Sequence, residues 1–270
     1  MLGLVRENDN AGAGATMRPD EAADLVGFVG DGPLDLGITQ LDAATAEELA
    51  QCGGRLYLND LTEIDVPTAV ALSKVKNSLH LNGLKRISPA VAEALSHFSG
   101  LWLCLDGLTE IDPAVAESLS HFSGLWLSLN GLTHIDPAVA EQLVKIKSSL
   151  RLDGISELDL PLAETLSHMK GGFETLNTPP DFDKHPVPGL PRSWDIPSLS
   201  LGGIEGLDRE VASTLGKIER NLVLRGGKDF DPEVLRELTR YHLNPKDRPC
   251  FRFEPGWRSQ VKLTLAEGGA

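Results

Sequence analysis

Asn59, Asn82, Asp106, Asn130 and Asp153 recur at steps of 23 or 24 residues, always at the same place in a repeating unit. A column of oxygen donors is the ligand type that hard cations such as Ca²⁺ take. Turn chemistry explains the column more simply. Each member except Asn59 precedes a glycine, and Asn-Gly or Asp-Gly tolerates positive φ and turns the chain sharply. His97, His121 and His168 also share one position, with Lys145 filling the gap. They fall on successive helices and do not converge on one point, as a zinc site would require. An imidazole near a helix C-terminus suits the macrodipole instead. Cys52, Cys104 and Cys250 lie far apart without a Cys-x-x-Cys pair, so no zinc knuckle or disulfide framework is expected, and a reducing compartment fits. No metal and no cofactor is expected.

Catalytic signatures are missing. The sequence contains no His-Glu-x-x-His, no Gly-x-Ser-x-Gly, no phosphate-binding Gly-x-x-x-x-Gly-Lys-Ser/Thr and no EF-hand loop. The Gly-rich stretch Leu201-Gly202-Gly203-Ile204-Glu205-Gly206 fits the turn at the end of its repeat's strand. The chain reads as a non-enzyme.

Binding chemistry is better represented. Trp102 and Trp126 occupy one column, just before a Leu-x-Leu pair, and Tyr57, His80, Cys104, Ser128 and Arg151 occupy the next, between the leucines. Exposed aromatics beside an arginine make typical binding hot spots. The candidate partner-binding residues are therefore Tyr57, His80, Trp102, Trp126 and Arg151, with Asp106 and Asp153 at the strand ends. The two tryptophan repeats are one residue longer than their neighbours, and a bulge there would turn both indoles inwards.

The elements that must position these groups follow from the period. The first leucine of the pattern falls at 56, 79, 103, 127 and 150 and reappears at 199 and 222. A fixed period of this size means one supersecondary unit stacked on copies of itself. In residues 103–126, Leu103 and Leu105 alternate with Cys104 and Asp106, a short strand with one buried face. Leu108 and Ile111 point back inside. Asp112-Pro113 begins a helix, as Ser88-Pro89, Asp136-Pro137 and Asp231-Pro232 do elsewhere: the side-chain oxygen caps a free N–H, and proline suits the first turn. Val115, Leu119 and Phe122 form the helix's buried stripe, and Ser123-Gly124 is expected to end it with glycine at C′.

These Leu-x-Leu strands, the 22–24-residue period and the Gly-Leu-Thr-x-Ile-Asp-Pro segment resemble the leucine-rich repeats, in a bacterial-type short variant. The resemblance covers residues 34–240. It implies an α/β solenoid, an arc with parallel strands on the concave side and short helices on the convex side, and recognition of a protein on the concave face. It supplies no catalytic residues. The family's usual Asn or Cys after the strand is replaced by Leu61, Leu84, Leu108 and Leu132, which predicts an apolar contact where the hydrogen-bonded ladder would run.

Outside the array, residues 1–17 read as a disordered tail, with Met17 a candidate start, and 18–33 as an N-terminal capping helix. Residues 241–270 read as a closing β-hairpin. The segment 173–198 has the length of a repeat but carries six prolines, which exclude a normal helix. It is a degenerate repeat or a contact loop, with His185 and Trp194 as its natural contact residues. Net charge is −14, and residues 34–172 hold 18 acidic against 9 basic side chains. That balance argues against nucleic acid and an anionic membrane, and a solvated acidic outer face accounts for it. No apolar run approaches the ~20 residues a membrane span needs. A monomeric, cytoplasmic protein-binding module is the expectation; a structural scaffold that makes contact through its ends or the 173–198 loop is the alternative.

Overall fold

The computed structural model describes residues 15–170, 198–218, 221–224, 231–239 and 251–252. Most of the expected tail, the proline-rich segment up to residue 197 with His185 and Trp194, Cys250 and most of the expected hairpin lie outside them. Nine short strands among the described residues form one parallel sheet in strict chain order. They are β1 (Leu34–Asp35), β2 (Leu56–Tyr57), β3 (Ser78–His80), β4 (Trp102–Cys104), β5 (Trp126–Ser128), β6 (Ser149–Arg151), β7 (Ser198–Ser200), β8 (Asn221–Val223) and β9 (Phe251–Arg252). Helices α2 (Ala43–Leu49), α3 (Val66–Leu72), α4 (Pro89–Ser96), α5 (Pro113–Ser120), α6 (Pro137–Leu143), α7 (Leu160–Ser167), α8 (Arg209–Leu215) and α9 (Pro232–Thr239) follow the strands in turn. Each packs on the next along the second layer. Strands ~4.8 Å apart opposite wider helices bend the array into an open arc with its strands on the concave side. This is the arc that the leucine-rich-repeat resemblance implies.

The register is set by the leucines. Leu56, Leu79, Leu103, Leu127, Leu150, Leu199 and Leu222 pair one to the next across the sheet, and all seven are fully buried. A second line, Leu58, Leu81, Leu105, Leu129, Leu152 and Leu201, is buried equally. One repeat cannot bury these side chains alone, so each depends on its neighbours. The extra residue of the two longer repeats makes no bulge within the strands: Trp102 pairs with Ser78 and Trp126, and Trp126 with Ser149, all in register.

Helix starts follow the expected capping logic. Asp42, Asp65, Ser88, Asp112, Asp159 and Asp208 each accept the N–H three residues on. Asp136 holds the N-cap backbone conformation without a side-chain bond, and Asp231 accepts Glu233 N–H instead.

The glycines correct an expectation. Among the described residues only Gly30 has positive φ. Gly83, Gly107, Gly131 and Gly154 are therefore not needed for a left-handed turn. A Cβ on Gly107 would sit 2.0 Å from the Asn82 carbonyl oxygen of the preceding repeat. The requirement is close inter-repeat approach, not conformational freedom. Gly124 is likewise no left-handed C′ residue: α5 ends at Ser120, and a Cβ on Gly124 would strike the Phe122 ring at 2.5 Å.

At the ends, α1 (Pro19–Val29) lays Leu25, Val26 and Val29 against the core. The Ala15 carbonyl accepts Thr39 N–H, and the Met17 carbonyl accepts the Thr45 hydroxyl, tying these residues to the first repeat. Phe251–Arg252 pairs parallel with β8 and extends the same sheet.

Candidate protein-recognition surface

Side chains alternate along each strand, so with the leucines inward, the residues before, between and after them face the opposite way. The parallel, in-register sheet stacks equivalent positions as columns. Trp102 and Trp126 lie on neighbouring strands with ring centroids 4.7 Å apart and planes within 7°. That separation is the strand spacing itself, so the backbone positions the pair at no extra cost in register. Both indoles are half-buried and neither turns into the core. One column over, Tyr57 and His80 stack at 4.3 Å. Burial, with Arg55 nearby, pushes the His80 pKa down and favours the neutral ring.

Arg151 links the tryptophan pair to the strand-end column. Its guanidinium carbon lies 5.8 Å from the Trp102 ring centroid, and it donates to Asp153 Oδ2 at 2.6 Å. Burial raises the Asp153 pKa, but bonds from Ser200, Arg151 and Gly202 N–H and the Arg151 charge outweigh it and hold the carboxyl below its usual range. The arginine is thus a fixed cation, tied at one end and lying towards an aromatic face. Cys104 and Ser128, in the same column as Arg151, are buried. Burial, then the nearby Asp106 charge, pushes the Cys104 thiol up to about 12, which keeps it protonated.

The strand-end column overturns a second expectation. Leucine at 61, 84, 108 and 132 does not remove the ladder; the ladder runs through the residues just after the strand leucines. Asn59 Oδ1 accepts Asp/Asn-column N–H from Asn82 at 3.2 Å, Asn82 Oδ1 from Asp106 at 3.0 Å and Asp106 Oδ1 from Asn130 at 2.8 Å. Asn130 Oδ1 accepts from Asp153 at 2.9 Å, and Asp153 Oδ1 from Gly202 at 2.7 Å. Two serines complete it, Ser128 Oγ donating to Asp106 at 2.6 Å and Ser200 Oγ to Asp153 at 2.5 Å. The column is therefore a structural spine bordering the aromatic patch, and its oxygens are occupied by backbone donors. A serine between the leucines, one strand after an aspartate, is the sequence signal for those added bonds.

His97, His121 and His168 are exposed at the C-caps of α4, α5 and α7. Of the seven candidate residues, the fold brings Tyr57 with His80, and Trp102, Trp126, Arg151 and Asp153 with one another. Asp106 belongs chiefly to the ladder.

Among the described residues no helix is long and apolar enough to cross a membrane. No protein-family model and no curated protein matches the sequence. Among solved structures, the fold is similar to a chain of the Toll–Spatzle complex, described as a molecular hub in Drosophila development and innate immunity. The identity is 11%, the TM-score 0.47, and the match covers 81% of this chain and 26% of that one.

Proposed function

We propose that this chain is a leucine-rich-repeat protein-binding module, without catalytic activity, that takes a protein partner on its concave strand face. The observation that carries the reading is the aromatic and cationic patch of Tyr57, His80, Trp102, Trp126 and Arg151. Large flat side chains, pre-stacked by the sheet register, lose little entropy on contact and bury much apolar area. A guanidinium fixed beside them adds directional donors. Asp153 ties Arg151 down at the strand end, and Asp106 stands in the ladder that borders the patch. Within this reading the module works as a monomer in a reducing, cytoplasmic compartment, with Cys52 and Cys104 as buried thiols.

The test is affinity capture from native lysate with wild type and a Trp102→Ala/Trp126→Ala/Arg151→Glu variant, after circular dichroism shows both folded. A protein retained by wild type and lost by the variant supports the reading. Capture of the same proteins at equal strength by both would move recognition off this face.

A further inference from the structure

Because all nine described strands are parallel and in chain order, the described strand-to-helix connections lie along one edge of the array and the described helix-to-strand connections along the other. The charges sort between these edges. The strand-to-helix segments 58–65, 81–88, 105–112, 129–136, 152–159 and 201–208 hold twelve carboxylates against two Lys or Arg. Among the described residues, the helix-to-strand segments 73–77, 97–101, 121–125 and 144–148, with 168–170 and 216–218 as the described parts of two longer connections, hold six lysines, three histidines and no carboxylate. On a chain of net charge −14, this is a carboxylate-free margin whose lysines flank the aromatic patch beside β3 and β6, with His97 and His121 beside β4 and β5.

The two margins differ in what their charges already do. Half of the twelve carboxylates accept backbone N–H bonds: Asp65, Asp112, Asp159 and Asp208 as helix caps, Asp106 and Asp153 in the ladder. Glu110 also pairs with Arg86. Acidity on that edge is largely structural. On the other edge Lys74 pairs with Glu47 and Lys145 donates to Gln142, while Lys76 and Lys147 take no part in helix capping or the ladder. Helix dipoles favour cations within the last turn, yet α2 to α8 carry no basic residue there. The C-cap histidines suit the dipole, but Lys76 and Lys147 lie four residues past the ends of α3 and α6. Both are exposed, two residues before the first residue of β3 and β6.

We propose that the basic margin and the aromatic patch together receive an acidic polypeptide segment, laid across β3 to β6 with apolar side chains on Trp102 and Trp126 and carboxylates towards Lys76 and Lys147. This rests on the strand-face reading above. A polypeptide fits better than a nucleic acid, because the opposite margin repels a partner that is anionic on every side, whereas a helix or strand can present acid on one flank only.

The probes are two synthetic amphipathic peptides of equal length with the same leucine stripe, one with a glutamate polar face and one with lysine. A single-stranded oligothymidylate is the third. Fluorescence anisotropy with the full chain should show the glutamate peptide binding about tenfold tighter than the lysine peptide. The preference should shrink between roughly 0.05 and 0.3 M salt, and Lys76→Glu/Lys147→Glu should abolish or reverse it. Equal or inverted preference, no peptide binding, or tighter binding of the oligothymidylate would overturn the proposal. Glutamate-peptide binding that survives Trp102→Ala/Trp126→Ala but not the lysine reversal keeps the margin and rejects the strand face. Loss with the tryptophans, and indifference to the reversal, keeps the strand face and rejects the margin.

Discussion

The two faces of each strand obey opposite rules. On the inner face Leu103, Leu127 and Leu150 are the same residue in the same register, all fully buried. On the outer face of those strands the middle residues are Cys104, Ser128 and Arg151. A core residue here touches copies of itself, so any change breaks a fit on two sides. The outer column follows no such rule: Cys104 and Ser128 are buried there while Arg151 is half-buried, and the residue type changes from strand to strand. Repetition marks what the stack demands, and divergence marks where specificity has room.

Adjacent residues give the sharpest test of that contrast. Leu129→Ala should lower stability by about 2–5 kcal/mol through the cavity it leaves. Ser128→Ala, one residue away, removes a hydroxyl that donates to the Asp106 carboxylate and should cost about 1.5 kcal/mol, the low end for a bond to a charged group. Urea unfolding of both variants decides it, and equal losses would erase the distinction between the faces.

The strand-end spine is where the outer face stops being free. Asp153→Ala should cost about 1.5–3 kcal/mol, the range for hydrogen bonds to a charged group. The pH dependence has a defined sign. The folded carboxyl titrates below its usual value, against an unfolded value of about 3.9. Its contribution is therefore present above that value and lost as pH falls through the folded one. The stability gap between wild type and Asp153→Asn should be constant near neutrality and close below about pH 3.9. A gap unchanged at pH 2 to 3 would show that the charge contributes nothing. Gly107→Ala, which brings a methyl against the Asn82 carbonyl, should cost about 1–3 kcal/mol. Gly206→Ala meets nothing within 4 Å and should stay within about 0.5 kcal/mol. Similar losses at both sites would argue for a conformational rather than a steric need for glycine.

The leucine period was enough to read the parallel strands, their register and the helix starts, because each follows from local spacing and one-residue capping chemistry. The role of Gly107 was not legible. The dipeptide Asp106-Gly107 is the same whether glycine supplies positive φ or makes room for the next backbone, and only the distance to Asn82 separates the two. The ladder was missed for a related reason. Asn82 and Asp106 read as turn formers within one repeat, while their hydrogen bonds run between repeats. The aromatic columns were legible because side chains aligned by period are neighbours once the strands are parallel. Whether the indoles faced in or out depended on where the extra residue was absorbed, which spacing alone does not say.

The smallest expected effect bears most directly on the outer face. Trp102 and Trp126 stack within 7°, and aromatic pairs contribute about 0.5–1.5 kcal/mol beyond their buried area. A double-mutant cycle on Trp102→Ala and Trp126→Ala should return a coupling of that size in the free protein. The reason to measure it without a partner is that each indole is also held by something else: Trp102 lies towards the Arg151 guanidinium, and both borrow their spacing from the sheet. If the backbone alone sets the geometry, the coupling falls near zero, and the rings stand side by side as two separate contacts for a partner. If the coupling reaches about 1 kcal/mol, the pair is a pre-assembled unit, rigid before binding, and replacing one ring loosens the other. Adding Arg151→Gln to the cycle then separates the ring–ring contact from the cation's share. A coupling that vanishes with Arg151 replaced would make the guanidinium, and not the stack, the organiser of the patch.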